Sequence, residues 1–116
     1  MRKKGLALAA AISLSLVFFI DVCGLVFGCG CRSLLAGAAA ECNIHHASPP
    51  HCPWCAHPAA GGAVAVAAIA GVQAWLLLRP GRAGLPLRFV LAVLSFPVTA
   101  AAVGALQGIL WDYWSG

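Results

Sequence analysis

The sequence predicts an all-α integral membrane protein in which three transmembrane helices carry a Cys/His-rich exoplasmic loop between the first and second. Three observations lead there. Hydrophobic residues make up 62% of the 116 residues and charged residues 9%. A soluble domain carries roughly 25% charged residues, so this chain cannot clothe itself in a polar surface. Three apolar runs, at about residues 5–28, 59–78 and 89–111, each reach the ~20 helical residues that cross a ~30 Å hydrocarbon core. Five of the six cysteines and all four histidines crowd into residues 29–57, between the first two runs.

The first run follows Arg2, Lys3 and Lys4 and is broken only by Asp21. It is longer than the apolar region of a secretory signal, and the small-residue pattern Ala38-Ala39-Ala40 comes late for a cleavage site. Lipidation at Cys29 is disfavoured by Phe27 beside the cut. The run is therefore expected to be an uncleaved helix. Asp21 and Cys23 lie within it. An ionisable group at membrane depth is a functional candidate by default, and a hydrated Asp near the interface is the plain alternative.

The second run holds Gln73 and the third Gln107, two amides suited to hydrogen bonds between helices. Between these runs, residues 79–88 form a short loop with Arg79, Arg82 and Arg88. With three spans, six of the seven Lys/Arg fall on one side and Arg32 alone on the other. The positive-inside bias then places the N-terminus and the arginine loop in the cytoplasm, and the Cys/His loop and C-terminus outside. A bacterial-type inner membrane is the expected setting. Trp111, Tyr113 and Trp114 suit an aromatic belt at the outer interface. The few clustered basic residues give no support to nucleic-acid binding. The lipid bilayer is the one partner that composition requires.

Within the spans, Gly24–Gly28 and Gly104–Gly108 have GxxxG spacing, which lets helix backbones approach closely. Packing within the chain is the simpler expectation, and dimerisation the other. Pro97 should kink the third helix, with Ser95 and Thr99 near enough to engage freed backbone groups.

The loop, residues 29–58, is not uniform. Residues 33–40 are alanine-rich and could lie as a helix on the membrane. Ser48-Pro49-Pro50 stiffens the chain and blocks helix. Cys52-Pro53-Trp54-Cys55 comes next, then His57-Pro58. Either Pro58 starts the second span and leaves CPWC as a turn above it, or Pro53 starts a short helix with Cys52 near its N-cap. One regular helix through both prolines is unfavourable.

Thirty residues cannot bury a useful core, and disulfides or metals usually supply that stability. Cysteines that simply staple the loop are therefore one reading, since an exoplasmic compartment permits them. Close-spaced pairs suit it poorly. A Cys29–Cys31 ring is strained, and a Cys52–Cys55 ring constrains little unfolded-state entropy.

Redox cycling fits the spacing better. CxxC permits a reversible bridge with a reactive thiol. In that reading Cys52 is the exposed attacking thiol and Cys55 its resolving partner, with Cys29 and Cys31 as a second relay pair. The partners are an exoplasmic thiol protein and a membrane electron carrier. Over Cys29 to Cys55 the cysteine layout is similar to the membrane disulfide-generating quinone oxidoreductases and the vitamin K epoxide reductases. That resemblance implies a quinone cofactor and thiol–disulfide oxidoreductase activity. It covers the cysteine arrangement alone, and those families generally use four core helices where this sequence has three runs.

Metal binding is the rival. Cys29, Cys31, Cys42, His45, Cys52 and Cys55 supply thiolate and imidazole ligands for Zn or Cu. The spacing matches no familiar zinc finger, and CPWCAH misses the C-x-x-C-H haem attachment pattern by one residue.

Overall fold

The computed structural model describes residues 2–31, His45 and residues 51–114. All regular structure among the described residues is helical. Helix α1 spans Arg2–Phe27, α2 is the single turn Pro53–Ala56, α3 runs from Pro58 to Leu78, and α4 spans Leu85–Leu110. Helices α1, α3 and α4 are long and apolar enough to cross a membrane. The alanine-rich segment, Ser48-Pro49-Pro50, Cys42 and His46 fall outside the described residues.

Each long helix is apolar nearly all round, so packing cannot hide every large side chain. Leu25 is 85% exposed, Val98 70% and Leu110 68%. Such residues face lipid in a membrane span. The interior is built instead from small and polar groups. Ala11, Ala65, Ala92 and Ala100 are fully buried, and they let the helices approach as membrane helices commonly do.

One polar tie joins all three spans. Gln73 Nε2 donates to Ser15 Oγ at 2.8 Å and to the Ala92 carbonyl at 3.1 Å. The Ser15 hydroxyl in turn donates to the Ala11 carbonyl at 2.8 Å. Gln73 therefore bonds between helices as its position in the sequence suggests. Ser95 Oγ also bonds backbone near Pro97, donating to the Ala92 carbonyl at 2.6 Å.

The third span starts earlier than its apolar run. Gly84 caps α4 in an extended conformation and Pro86 sits in its first turn, where a missing N–H costs nothing. Arg88 thus lies inside the helix rather than in the loop. Its guanidinium is buried and turns toward the C-terminal end of α3. Nε donates to Ala83 O at 3.1 Å, and Nη1 donates to Leu77 O at 3.4 Å and to Arg79 O. The Leu77 and Arg79 carbonyls lie at the end of α3, where a helix leaves them without an intrahelical donor, and the Ala83 carbonyl lies in the loop.

The two prolines before α3 divide the work between them. Pro53 opens α2 with Cys52 as N-cap, the helix stops at His57, and Pro58 opens α3. The first six residues of α3, Pro58–Ala63, are π-helical. Gly62 N–H reaches back five residues to His57 O at 3.3 Å. The wide turn satisfies the backbone where two prolines prevent one continuous α-helix.

Of the GxxxG glycines, Gly24, Gly104 and Gly108 have close neighbours within the chain, whereas nothing lies within 4 Å of a methyl placed at Gly28. A methyl group at Gly24 would collide with the Cys31 carbonyl, and one at Gly104 would meet Val26, Trp54 and Phe27. The aromatic tail also turns inward. Asp112 adopts positive φ and Tyr113 N–H bonds Gly108 O at 2.8 Å. This folds Tyr113 back onto α1, where it is buried, so it is not the interface anchor its composition suggests. Trp111 and Trp114 remain partly exposed.

Candidate functional site

Five cysteines converge at the end of the bundle opposite the basic residues among those described. The first contributor is Cys23, on the buried face of α1. After α1 the chain reverses. Gly28 N–H bonds Gly24 O at 2.8 Å, and Gly28 and Gly30 take φ of 58° and 94°, a conformation that costs glycine little. The reversal swings Cys29 and Cys31 back toward Cys23.

From the other side, α2 delivers Cys52 and Cys55. Its turn lies directly on the start of α3, so tightly that a side chain at Gly61 would overlap the Pro53 carbonyl. Trp54, between the two cysteines, is locked in place. It stacks on Phe19 at 4.5 Å and meets Phe27 edge-on at 5.1 Å. Its indole N–H donates to Gln107 Oε1 at 2.6 Å. Gln107 Nε2 donates to Ala60 O and Gly61 O, both at 3.2 Å. Tyr113 packs edge-on against Phe27 at 5.2 Å and donates its hydroxyl to Phe27 O at 2.7 Å.

The result is a chain of thiols in contact. Cys23 Sγ lies 3.1 Å from Cys52 Sγ and 3.6 Å from Cys29 Sγ. Cys29 Sγ lies 3.3 Å from Cys31 Sγ, and Cys31 Sγ lies 3.9 Å from Cys55 Sγ. Within each of two triads, Cys23–Cys52–Cys55 and Cys23–Cys29–Cys31, the sulfurs all lie within 4.8 Å of one another. Cys52 is 0% exposed, Cys23 2%, Cys29 3% and Cys31 8%. Cys55 is half-buried. The exposed position expected for Cys52 therefore belongs to Cys55. Phe27, Trp54 and Tyr113 belong to the same buried cluster as these cysteines.

Sulfur–hydrogen donors surround Cys52. Hydrogen bonds from Cys23, and then from Cys29, hold its thiol below the ordinary value and outweigh the opposing effect of burial. A thiolate forms there more readily than in an isolated buried cysteine, whose pKa burial alone would raise.

No family model, curated protein or solved structure matches the chain. The function of the site must therefore be argued from its own chemistry. Five clustered cysteines near a membrane-span end can bind a metal ion or form a redox centre.

The four cysteines that the sequence singles out as redox pairs, Cys29, Cys31, Cys52 and Cys55, all meet here. Among the histidines, His45 is exposed, His57 is exposed with its ring 5.0 Å from that of Trp111, and His51 is half-buried. None belongs to either sulfur triad. Cys42 lies outside the described residues. Asp21 is half-buried on α1. Cys23 is absent from the ligand set that the loop sequence suggests, because it sits in an apolar run. The available signal is its spacing: six residues before Cys29, close enough that one reversal of the chain brings the two sulfurs together.

Proposed function

We propose that this protein binds a soft d10 metal ion through a thiolate centre at the exoplasmic end of its membrane bundle. The supporting observation is the pair of buried sulfur triads. Thiolates select ions such as Cu(I) and Zn²⁺ over hard cations. A metal–sulfur distance of about 2.3 Å places the sulfurs around one ion roughly 3.8 to 4.0 Å apart, so triad separations that start at 3.1 Å and stay within 4.8 Å need only small adjustments. Burial keeps competing water away. The half-exposed Cys55 offers an entry point, and the six Lys/Arg among the described residues belong to the other end of the bundle, which supports an exoplasmic site.

The test is metal content and competition. Reduced protein in detergent micelles is expected to hold Cu(I) stoichiometrically against a competing chelator, and to lose it when the cysteines are replaced by serine. Equal copper retention by the cysteine-free protein would sink the reading.

A second reading is supported by one contrast, a half-exposed Cys55 against a fully buried Cys52. A partner thiolate would attack Cys55 Sγ of a Cys52–Cys55 disulfide, forming a mixed disulfide on Cys55 and releasing the Cys52 thiolate. The partner's second thiolate would then attack its own sulfur in the mixed disulfide, closing the partner disulfide and releasing the Cys55 thiolate. The CxxC pair gains the two electrons. A Cys29–Cys31 disulfide would accept them by exchange, and a membrane quinone would take them, with two protons, from the resulting Cys29–Cys31 dithiol. Trapping a mixed disulfide on Cys55 in the Cys52→Ser variant checks this, and its absence with an intact apo fold counts against it.

A further inference from the structure

We infer that the thiol centre takes two ions rather than one, bridged by Cys23. The inference rests on the metal-binding reading above and goes beyond it. The two triads share only Cys23, with Cys52 and Cys55 on one side and Cys29 and Cys31 on the other. Cys23 Sγ touches both halves, at 3.1 Å to Cys52 and 3.6 Å to Cys29. A thiolate sulfur has more than one lone pair and can bind two ions at once.

Geometry favours three sulfurs per ion. Three ligands about an ion at ~2.3 Å lie roughly 4.0 Å apart, close to the separations within each triad. Structural zinc takes four protein ligands almost always, and two tetrahedral zinc ions sharing one sulfur would need seven donors. Five sulfurs match two three-coordinate ions with one shared ligand. The ligand class is therefore a soft d10 cation that accepts three thiolates, with Cu(I) as the fitting member. Loading exchanges thiol protons for metal–sulfur bonds, so the buried centre becomes a set of ion-paired thiolates.

The position of Cys23 gives the bridge its rigidity. It projects from a long helix, not from a loop. Its neighbours on either side are carried by short segments pinned to helices: Cys31 backbone against Gly24, and the α2 turn against Gly61. The two halves of the site are carried by separate segments, approach each other directly at Cys31 and Cys55, whose sulfurs lie 3.9 Å apart, and share Cys23 as the one cysteine common to both triads.

The experiment uses reduced full-length protein in micelles, both wild type and Cys42→Ser, titrated with Cu(I) under a competing chelator. Copper per chain is counted, and X-ray absorption gives the sulfur number and any copper–copper vector. The expected result in both proteins is two coppers per chain, about three sulfurs each, and a short copper–copper vector. Cys23→Ser should lose the vector and at least one ion. The Cys29→Ser/Cys31→Ser double variant should keep one ion on Cys23, Cys52 and Cys55.

One copper per chain in wild type would overturn the two-ion inference while leaving metal binding intact. A fall from two ions to one in Cys42→Ser would also overturn it, because the second ion would then need a ligand outside the five. No copper above the cysteine-free protein would remove the metal reading itself. Two coppers with an unchanged vector in Cys23→Ser would overturn the bridge. If Cys23→Ser loses its helical content, the double variant decides, and two ions retained there overturn the inference.

Discussion

Trp54 and Gln107 are joined by a 2.6 Å hydrogen bond from the indole N–H to the amide oxygen. The bond connects the CxxC turn to the last span, across more than fifty residues of sequence. Gln107 also holds the start of α3 through Ala60 O and Gly61 O. One amide therefore sets α2 against both α3 and α4. Gln107→Leu is expected to destabilise the fold by about 1 kcal/mol, the usual scale of a polar contact between membrane helices. It should also weaken metal binding about 10-fold, as the loss of residues that orient ligands commonly does. Chelator competition beside an unfolding curve in micelles measures both. Unchanged affinity would mean that Trp54 is held by its ring contacts alone.

Two glycines carry the cysteine-bearing backbone, and a third provides the contrast. A methyl at Gly24 strikes the Cys31 carbonyl, and one at Gly61 strikes the Pro53 carbonyl. Gly24→Ala and Gly61→Ala should each cost roughly 1–3 kcal/mol, the range for overpacking, and impair metal binding from opposite sides of the site. Gly71 has nothing within 4 Å of the position a methyl would take. Gly71→Ala should instead stabilise α3 by roughly 0.5–1 kcal/mol. Thermal unfolding of the three variants separates the cases, and equal effects at all three positions would refute the packing account.

The spans were legible because lipid imposes a simple rule: about twenty apolar residues, whatever their order. The amides were legible for a related reason, since a Gln in such a run has few partners other than another helix. The convergence of CGC and CPWC could also be anticipated, because helix ends bound the loop on both sides. Three features could not be. Cys23 looks like one more apolar residue until the turn at Gly28 aims Cys29 back at it. Tyr113 looks like an interface anchor until the positive φ of Asp112 reverses the tail. Arg88 looks like a loop charge until Gly84 and Pro86 start the helix ahead of it. Each miss is a backbone reversal or helix start that redirects one side chain, a local geometry that hydropathy does not record.

Arg88 makes a separable prediction at the far end of the bundle. Its guanidinium serves three carbonyls at and beyond the end of α3. Arg88→Met leaves those acceptors without their donor and should cost roughly 1–3 kcal/mol, the scale of an unmet buried hydrogen bond. Arg88→Lys should recover only part of this, because an ammonium lacks the planar fork. Copper stoichiometry should not change in either variant, since Arg88 lies at the end of the bundle remote from the sulfurs. A loss of bound copper at full helicity would show that the two ends are coupled.

The difference in exposure among the thiols yields the most direct probe of the site. Cys55 is half-buried, whereas Cys23 and Cys52 are almost entirely enclosed. A brief pulse of a small alkylating reagent on reduced apo protein should therefore modify Cys55 first among the five, read by mass spectrometry of the digested chain. Cys23 and Cys52 should react only on a timescale set by local opening. The lowered pKa of Cys52 favours its thiolate, so the order measures whether access or ionisation governs reactivity. Access should win, because a reagent that cannot reach sulfur gains nothing from its charge. Cu(I) loaded before the pulse should then protect Cys55 together with the buried thiols. Protection of Cys23, Cys29 and Cys31 alone, with Cys52 and Cys55 still reacting as in the apo protein, would place the ion on those three and leave the CxxC pair to other chemistry.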